Sequence, residues 1–349
     1  MINYNKYIFL FLLSLFFTSY TFAQKKTFSV FQLNIWHEGS TVPKGYDAII
    51  EEIIDKNADV VLLCEVNNRN GLDFVGRILN DLKAKGHTYY GISNEHSVDV
   101  ATLSKFPIIE QNTLYEKENR QGQVLKTKIN IHNHPIIFYS VHLDYTNYAC
   151  YLPRGYDGVT WKKMDKPITD VQEIIMANRK SKRDESIADL IADAAKESKR
   201  YSIIIGGDFN EPSHLDWIEE NKHLYDRRGT VVPWDCSMML YAAGYKDAFR
   251  AKYPNSLTHP GFTYPSFNDG VPISKLAWTP EADDRDRIDY IYFKTPNKML
   301  RLQDIKIVGP ESTVRYAQKQ EKDSDDEFWL PKGVWPTDHK GLLATFSIK

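Results

Sequence analysis

Cysteine is scarce: Cys64, Cys150 and Cys236 are the three in 349 residues. Three thiols cannot staple a chain of this length, and no CxxC pair marks structural zinc. A Cys150–Cys236 bridge is the one pairing the sequence leaves open. Excess positive charge is missing too. With 44 Lys+Arg against 46 Asp+Glu the formal charge is −2, so composition supplies no broad basic face of the kind that neutralises nucleic-acid phosphates. Ser/Gly linkers, low-complexity tracts and short fixed repeats are absent, which excludes solenoids and flexible strings of domains. Beyond the start of the chain no apolar run approaches the ~20 residues of a membrane-spanning helix.

The hydrophobic content of 42% and charged content of 26% suit a chain that buries a sizeable core. At the start, Lys6 precedes an apolar run from Tyr7 to Phe17, and Thr21 and Ala23 occupy the small positions before a signal-peptidase cut. Residues 1–23 read as a signal peptide. No cysteine sits at the cut to take a lipid, so the expectation is a secreted or periplasmic protein without a transmembrane segment in its mature chain.

Strand-like alternation runs from Phe28 to Ile35, and Val60 to Cys64 is a short, fully apolar strand. Between them Ala48, Ile49, Ile53 and Ile54 fall at helical spacing. Leu72 to Leu82 and Ser186 to Ala195 repeat the helical pattern. Strands are expected near Tyr89, Val100 and Ile108, and again at 124–131, 135–143, 201–205, 288–293, 302–308 and 342–348. Strands mixed with helices, without a linker, indicate one α/β (α+β) domain over residues 24–349. Two aromatic, charged stretches interrupt it: an inserted region at about 144–182 and a second at 311–336. Loops of that length are functional or disordered, and aromatics argue against disorder.

Polar residues gather where the strands end. Asn34 follows Phe31-Gln32-Leu33, Glu65 follows Val61-Leu62-Leu63-Cys64, and His142 with Asp144 closes the 135–143 strand. Asp208 and Asn210 follow Ile203-Ile204-Ile205-Gly206-Gly207, Asp289 lies in Arg287-Ile288-Asp289-Tyr290, and Asp338-His339 precedes the last strand. A lone Asp or Asn after a strand ordinarily caps a turn. Six such ends at one rim of a sheet form a site. The set has carboxylates and amides but no thiolates, and His142 and His339 lack zinc spacing. Glu65 therefore points to a hard divalent ion completed by water and a substrate phosphate.

These residues make the chain resemble the endonuclease/exonuclease/phosphatase superfamily, the deoxyribonuclease-I-like metal-dependent phosphoesterases. The resemblance rests on Gln32-Leu33-Asn34, Cys64-Glu65-Val66, Leu103-Ser104-Lys105-Phe106-Pro107, Ser140-Val141-His142-Leu143, Gly206-Gly207-Asp208-Phe209-Asn210-Glu211-Pro212, Arg287-Ile288-Asp289-Tyr290 and Thr337-Asp338-His339, in family order. It implies a four-layer α/β/β/α sandwich of two mixed β-sheets flanked by helices. It implies Mg²⁺, with Mn²⁺ as a substitute, held by Glu65 with Asn34 and, through water, Asp338. Asp208 is then expected to orient or deprotonate the attacking water, Asn210 to hold a phosphate oxygen, and His142 to stabilise developing charge or assist the leaving group. His339, oriented by Asp289, would bond the scissile phosphate; the motif selects Asp289 over Asp286. Asp99 and Asp144 are weaker candidates.

The substrate is less constrained. The insertion follows His142 and carries Tyr145, Tyr148, Tyr151, Tyr156 and Trp161 beside Arg154, Lys162, Lys163 and Lys166. Tyr145, Arg154, Trp161 and Lys162 are the expected substrate contacts, with rings for sugars or bases and cations for further phosphates. Packing of the same rings into a small satellite core competes with that reading. A soluble phosphorylated sugar, inositol or glycan in a shaped, partly basic pocket is favoured. The alternatives are a deoxyribonuclease-like endonuclease, which would make nucleic acid the partner, a sphingomyelinase-like lipid phosphodiesterase docking through Phe328-Trp329 and Trp335, and a non-catalytic phosphate-ligand binding module. No protein partner is expected.

Overall fold

The computed structural model describes residues 26–93, 98–114 and 123–349. The expected signal peptide lies outside them. Among the described residues no helix is long and apolar enough to cross a membrane.

In chain order the strands begin with β1 (Thr27–Asn34), β2 (Val60–Cys64), β3 (Tyr90–Gly91), β4 (Val100–Ser104) and β5 (Ile108–Thr113). They continue with β6 (Gln123–Ile131), β7 (His134–His142), β8 (Ser202–Asp208), β9 (Lys246–Asp247) and β10 (Asp289–Lys294). The last are β11 (Leu300–Val308), β12 (Thr313–Arg315), β13 (Gln318–Gln320), β14 (Phe328–Trp329) and β15 (Gly341–Ile348). The helices are α1 (Gly45–Lys56), α2 (Phe74–Ala84), α3 (Val171–Asn178), α4 (Arg183–Ala195), α5 (Asp235–Ala242) and α6 (Ala248–Lys252). One mixed sheet has the order β14-β11-β15-β1-β2-β4-β3 and the other β5-β6-β7-β8-β10-β9, while β12 and β13 form a separate ribbon.

The two sheets lie face to face because their central strands are apolar on both sides. Phe28, Val30, Leu62, Phe138, Ile204, Ile291, Leu342 and Phe346 point into the space between them. The alternate residues of the same strands point outward. Phe31, Leu33, Val61 and Leu63 meet Ile49 and Ile53 of α1 and Ile78 and Leu82 of α2. Ile137, Tyr139, Ile203 and Ile205 meet Ile187 and Leu190 of α4 and Leu240 of α5. This is the four-layer sandwich, with the helices outside. Gly206 sits where the sheets approach closely: a Cβ there would lie 2.7 Å from Leu62 Cδ1.

The 311–336 stretch is built rather than loose. It contributes the β12–β13 ribbon and the short edge strand β14. Trp335 is buried in the outer core and donates its indole N–H to the His339 carbonyl, so it is not available for docking to a lipid. The sequence carries no amphipathic stripe for α5, because Cys236, Met238, Met239, Leu240 and Tyr241 surround it. Cys150 and Cys236 are both free, buried thiols, as is Cys64, so the bridge left open above is not made.

Candidate active site

The period of two along a strand aims the site. The same inward face that carries Val30, Phe138, Ile204 and Ile291 carries, at the strand ends, Gln32 and Asn34, Ser140 and His142, Asp208, and Asp289. Register then sets them side by side: His142 pairs with Asp208 across β7–β8, and Asp208 with Asp289 across β8–β10. Gly207 permits that alignment, since a Cβ there would lie 1.8 Å from the Val141 carbonyl oxygen.

Three further residues turn into this rim. Glu65 follows β2 with φ of 65°, a left-handed conformation uncommon for a non-glycine residue and characteristic of functional sites. Its Oε2 accepts from the His37 backbone N–H at 2.8 Å and lies 2.9 Å from His37 Nδ1. Asn34 Nδ2 donates to Glu65 Oε1 and Asp208 Oδ2, both at 3.0 Å, and so ties the two sheets together at the site. Asp338 and His339 arrive just before β15, with the His339 N–H donating to the Thr337 hydroxyl at 3.1 Å.

Each histidine is backed by a carboxylate. His142 Nδ1 is 2.7 Å from Asp99 Oδ2, and His339 Nδ1 is 2.9 Å from Asp289 Oδ2, whose other oxygen accepts from Gln32 Nε2 at 2.9 Å. Both rings turn Nε2 toward Asp208 Oδ2, at 3.9 Å and 3.7 Å. Burial opposes a charged ring in each case, but the carboxylates outweigh it and push both histidines up to about 10. Burial, with Asp289 adding to it, pushes Asp208 up to about 6. Burial also pushes Asp338 up to about 7. Glu65 goes the other way: burial would raise it, but the His37 bond and the nearby histidine charges hold it down to about 2.

The oxygen-rich donors suit a hard divalent cation. Asp338 is buried, and among the described residues its side chain has one hydrogen-bond partner, the Thr337 hydroxyl at 3.4 Å; a nearby cation would complete it. Asp208, Asp289 and His339 offer atoms that all lie within 4.8 Å of one another. Both Asp289 oxygens face Gln32 and His339, and the carboxylate oxygens of Glu65 and Asp208 accept from Asn34, His37 and Asn210, so among the described residues Asp338 keeps the least engaged carboxylate of the rim. Asn34 uses its amide oxygen to accept from the Trp36 N–H at 3.0 Å. Asn210, with φ of 50°, donates its N–H to Asp208 Oδ1 at 2.8 Å and its Nδ2 to the Leu143 carbonyl at 2.9 Å.

A cavity of about 650 Å³ opens onto these groups. Glu65, His142, Asp208, Asn210, Asp338 and His339 lie on its wall, and so do Tyr145 and Trp161 from the insertion. Arg154 does not, and its expected contact with substrate is overturned. Its guanidinium is buried, 2.7 Å from Asp286 Oδ2 and 3.2 Å from the Arg285 carbonyl. That pair also explains why Asp286 is not the histidine partner. Lys162 is exposed on the insertion, away from the cavity wall. Among the described lining residues there is no Lys or Arg, and the cationic groups on the wall are His142 and His339.

Several wall residues were not anticipated. Asp99 reads from sequence as a solvated or turn residue; the pairing of Cys64 with Val100 places it beside Glu65 across β2–β4. Trp36, Tyr264 and Trp278 also line the cavity, and Trp278 comes from an irregular segment with no periodic signal. The satellite core exists as well: Ala149, Cys150, Tyr151, Leu152 and Tyr156 pack with Ile174 of α3, Trp217 and Trp234.

Comparison with known proteins agrees with this architecture. A family model described as the endonuclease/exonuclease/phosphatase family matches residues 31–339. An uncharacterised Caenorhabditis elegans protein, F14F9.5, is 28% identical over 322 residues, covering 90% of this chain and 89% of its own. Among solved structures, the endonuclease/exonuclease/phosphatase from Bacteroides vulgatus superposes with a TM-score of 0.52 at 14% identity, covering 93% of this chain and 100% of that one. D. rerio TDP2, complexed with single-strand DNA product, gives 0.51 at 12% identity over 92% and 98%.

Proposed function

Since the chain belongs to the endonuclease/exonuclease/phosphatase family, whose members are hydrolases of phosphoester bonds, we propose that it is an exported, Mg²⁺-dependent phosphodiesterase acting on a soluble substrate by direct attack of water. The observation that carries this reading is Asp208 standing between two carboxylate-backed histidines, 3.9 Å and 3.7 Å from their Nε2 atoms. A base is thus flanked by two fixed cationic donors, as displacement at phosphorus needs.

Glu65, with Asp338 and Asp208, would hold the cation, which supplies charge neutralisation on a phosphate oxygen when bound. Asp208, raised to about 6, is suited to orient the water and take its proton near neutral pH. The water oxygen forms the new bond to phosphorus as the bond to the leaving oxygen breaks. His339, oriented by Asp289, donates Nε2–H to a phosphate oxygen. His142, kept protonated by Asp99, donates to the developing charge or to the leaving oxygen. A diester brings one negative charge to the site, whereas a monoester brings about two. A wall without Lys or Arg among the described residues favours the diester.

A nuclease is the second reading, favoured by the aromatic wall, on which bases as well as sugars can stack. The test is hydrolysis of bis(p-nitrophenyl) phosphate and p-nitrophenyl phosphate with Mg²⁺ or EDTA, alongside His339→Ala. Metal-dependent cleavage of the diester that vanishes in the variant is expected. Wild-type rates in His339→Ala, or rates unchanged by EDTA, would overturn the mechanism.

A further inference from the structure

One wall of the cavity is built of rings. Trp161 lies with its centroid 5.4 Å from Tyr148, 5.0 Å from Tyr151 and 4.9 Å from Trp278. Tyr264 carries the aromatic surface to the reacting groups, its ring 4.8 Å from that of His339. All five line the same cavity. Trp161 is held at φ of 59°, a costly conformation for a bulky residue that persists only where the surroundings enforce it. The preceding turn does so: Asp157 Oδ1 accepts from the backbone N–H groups of Val159 and Thr160 and from the Thr160 hydroxyl. Trp278 is 46% exposed and stands outside the buried core clusters, resting on Trp161, so packing alone does not account for a tryptophan there.

Rings of this kind bind either a cation or an uncharged ring. The protein side of the wall decides between them. The Arg154 guanidinium sits 5.3 Å from the Tyr151 centroid, and that of Arg183 sits 5.7 Å from the Tyr148 centroid. Both arginines are buried, and neither lines the cavity. They already engage the π-clouds of the two tyrosines and weaken the pull of those rings on a second cation. Among the described residues the wall likewise carries no Lys or Arg to bind phosphates beyond the scissile one. Asn67, Thr146 and Asn147 supply neutral hydrogen-bonding groups around the same space.

We propose that Tyr148, Tyr151, Trp161 and Trp278 form a subsite for an uncharged ring, a pyranose or a nucleobase, carried on one arm of a singly charged phosphodiester. The subsite rests on the reading of the site as a phosphodiesterase and narrows its substrate: polyphosphorylated inositols and quaternary-ammonium esters do not fit it.

The test is equilibrium titration of the mature protein in EDTA, so that binding is read without turnover. The probes are the methyl phosphodiesters of thymidine, glucose, choline and glycerol. At least one of the thymidine and glucose esters is expected to bind about tenfold or more tighter than the glycerol ester, within the range that stacking on an aromatic side chain contributes. Trp278→Ala should abolish that preference with an unchanged unfolding midpoint, and Trp278→Phe should retain most of it. The ring that binds identifies the source. Equal binding of ring and glycerol esters, tightest binding of the choline ester, or an intact preference in Trp278→Ala would overturn the subsite. A protein that shows the ring preference yet cleaves no diester when metal is restored would instead refute the proposed function.

Discussion

Asp99 sets the charge on His142. The ring is buried, where the neutral form is favoured, and the 2.7 Å contact with Asp99 reverses that preference and lifts it to about 10. Asp208, at about 6, marks the acid side. The rate should therefore rise with pH through about 6, or lower when a bound cation stabilises the carboxylate, and fall near 10. In Asp99→Asn the alkaline limb should move down toward the ordinary histidine value of ~6.5, cutting the rate at pH 8 about tenfold or more. An alkaline limb still near 10 in that variant would remove His142 from the reaction. Stability follows the same linkage. A histidine raised in the folded state contributes in full below ~6.5, and the contribution is lost as pH rises through about 10.

Among the elements, the insertion depends most on its anchors. Arg183, the first residue of α4, donates to the carbonyls of Asp144, Thr146 and Asn147 and to Asn178 Oδ1. Arg154 fastens the same segment to the approach of β10 through Asp286, which also accepts from the Trp217 indole at 3.1 Å. Breaking such a buried pair from one side costs up to about 3–5 kcal/mol, here toward the lower figure because the remaining carboxylate keeps the more distant Arg227, whose Nη2 is 3.7 Å from Asp286 Oδ1. Arg154→Met should open the insertion to protease between residues 144 and 182 and raise KM more than it lowers kcat. The ends of β7, β8 and β10 are held by their own ladders, so the reacting groups keep their places. Wild-type proteolysis and KM would show that the pair does not order the insertion.

For the whole molecule, the site exists because two sheets end at a common rim. Their inner faces are apolar through Val30, Leu62, Phe138 and Ile204, then turn polar at Asn34, His142 and Asp208. Burial of those polar ends raises the pKa of Asp208 and Asp338, while the arrangement of opposite charges raises both histidines. The proposed export is the other question at this scale. The apolar run from Tyr7 to Phe17 and the small residues Thr21 and Ala23 lead to the expectation that the mature chain begins at Gln24. N-terminal sequencing of protein from the periplasm or medium would show Gln24; an intact Met1, or retention in the cytoplasm, would refute export.

Much of this molecule was legible in the order of its residues. Strand and helix periods, the apolar runs at 60–64 and 203–205, and the polar residue that closes each strand follow from short-range chemistry, and they carried the family, the layers and most of the rim. Local pattern could not reveal the partners. Arg154 reads as a substrate cation until Asp286, far along the chain, is found beside it. Asp99 reads as a turn residue until the β2–β4 register sets it near His142. Trp278 carries no pattern until Trp161 meets it. Sequence alone determined the fold and the candidate groups of the site because periodicity and motif are properties of neighbouring residues. Which charges are neutralised, which rings face the cavity and which way each pKa moves depend on contacts across long separations and on burial, and only the tertiary structure decided them.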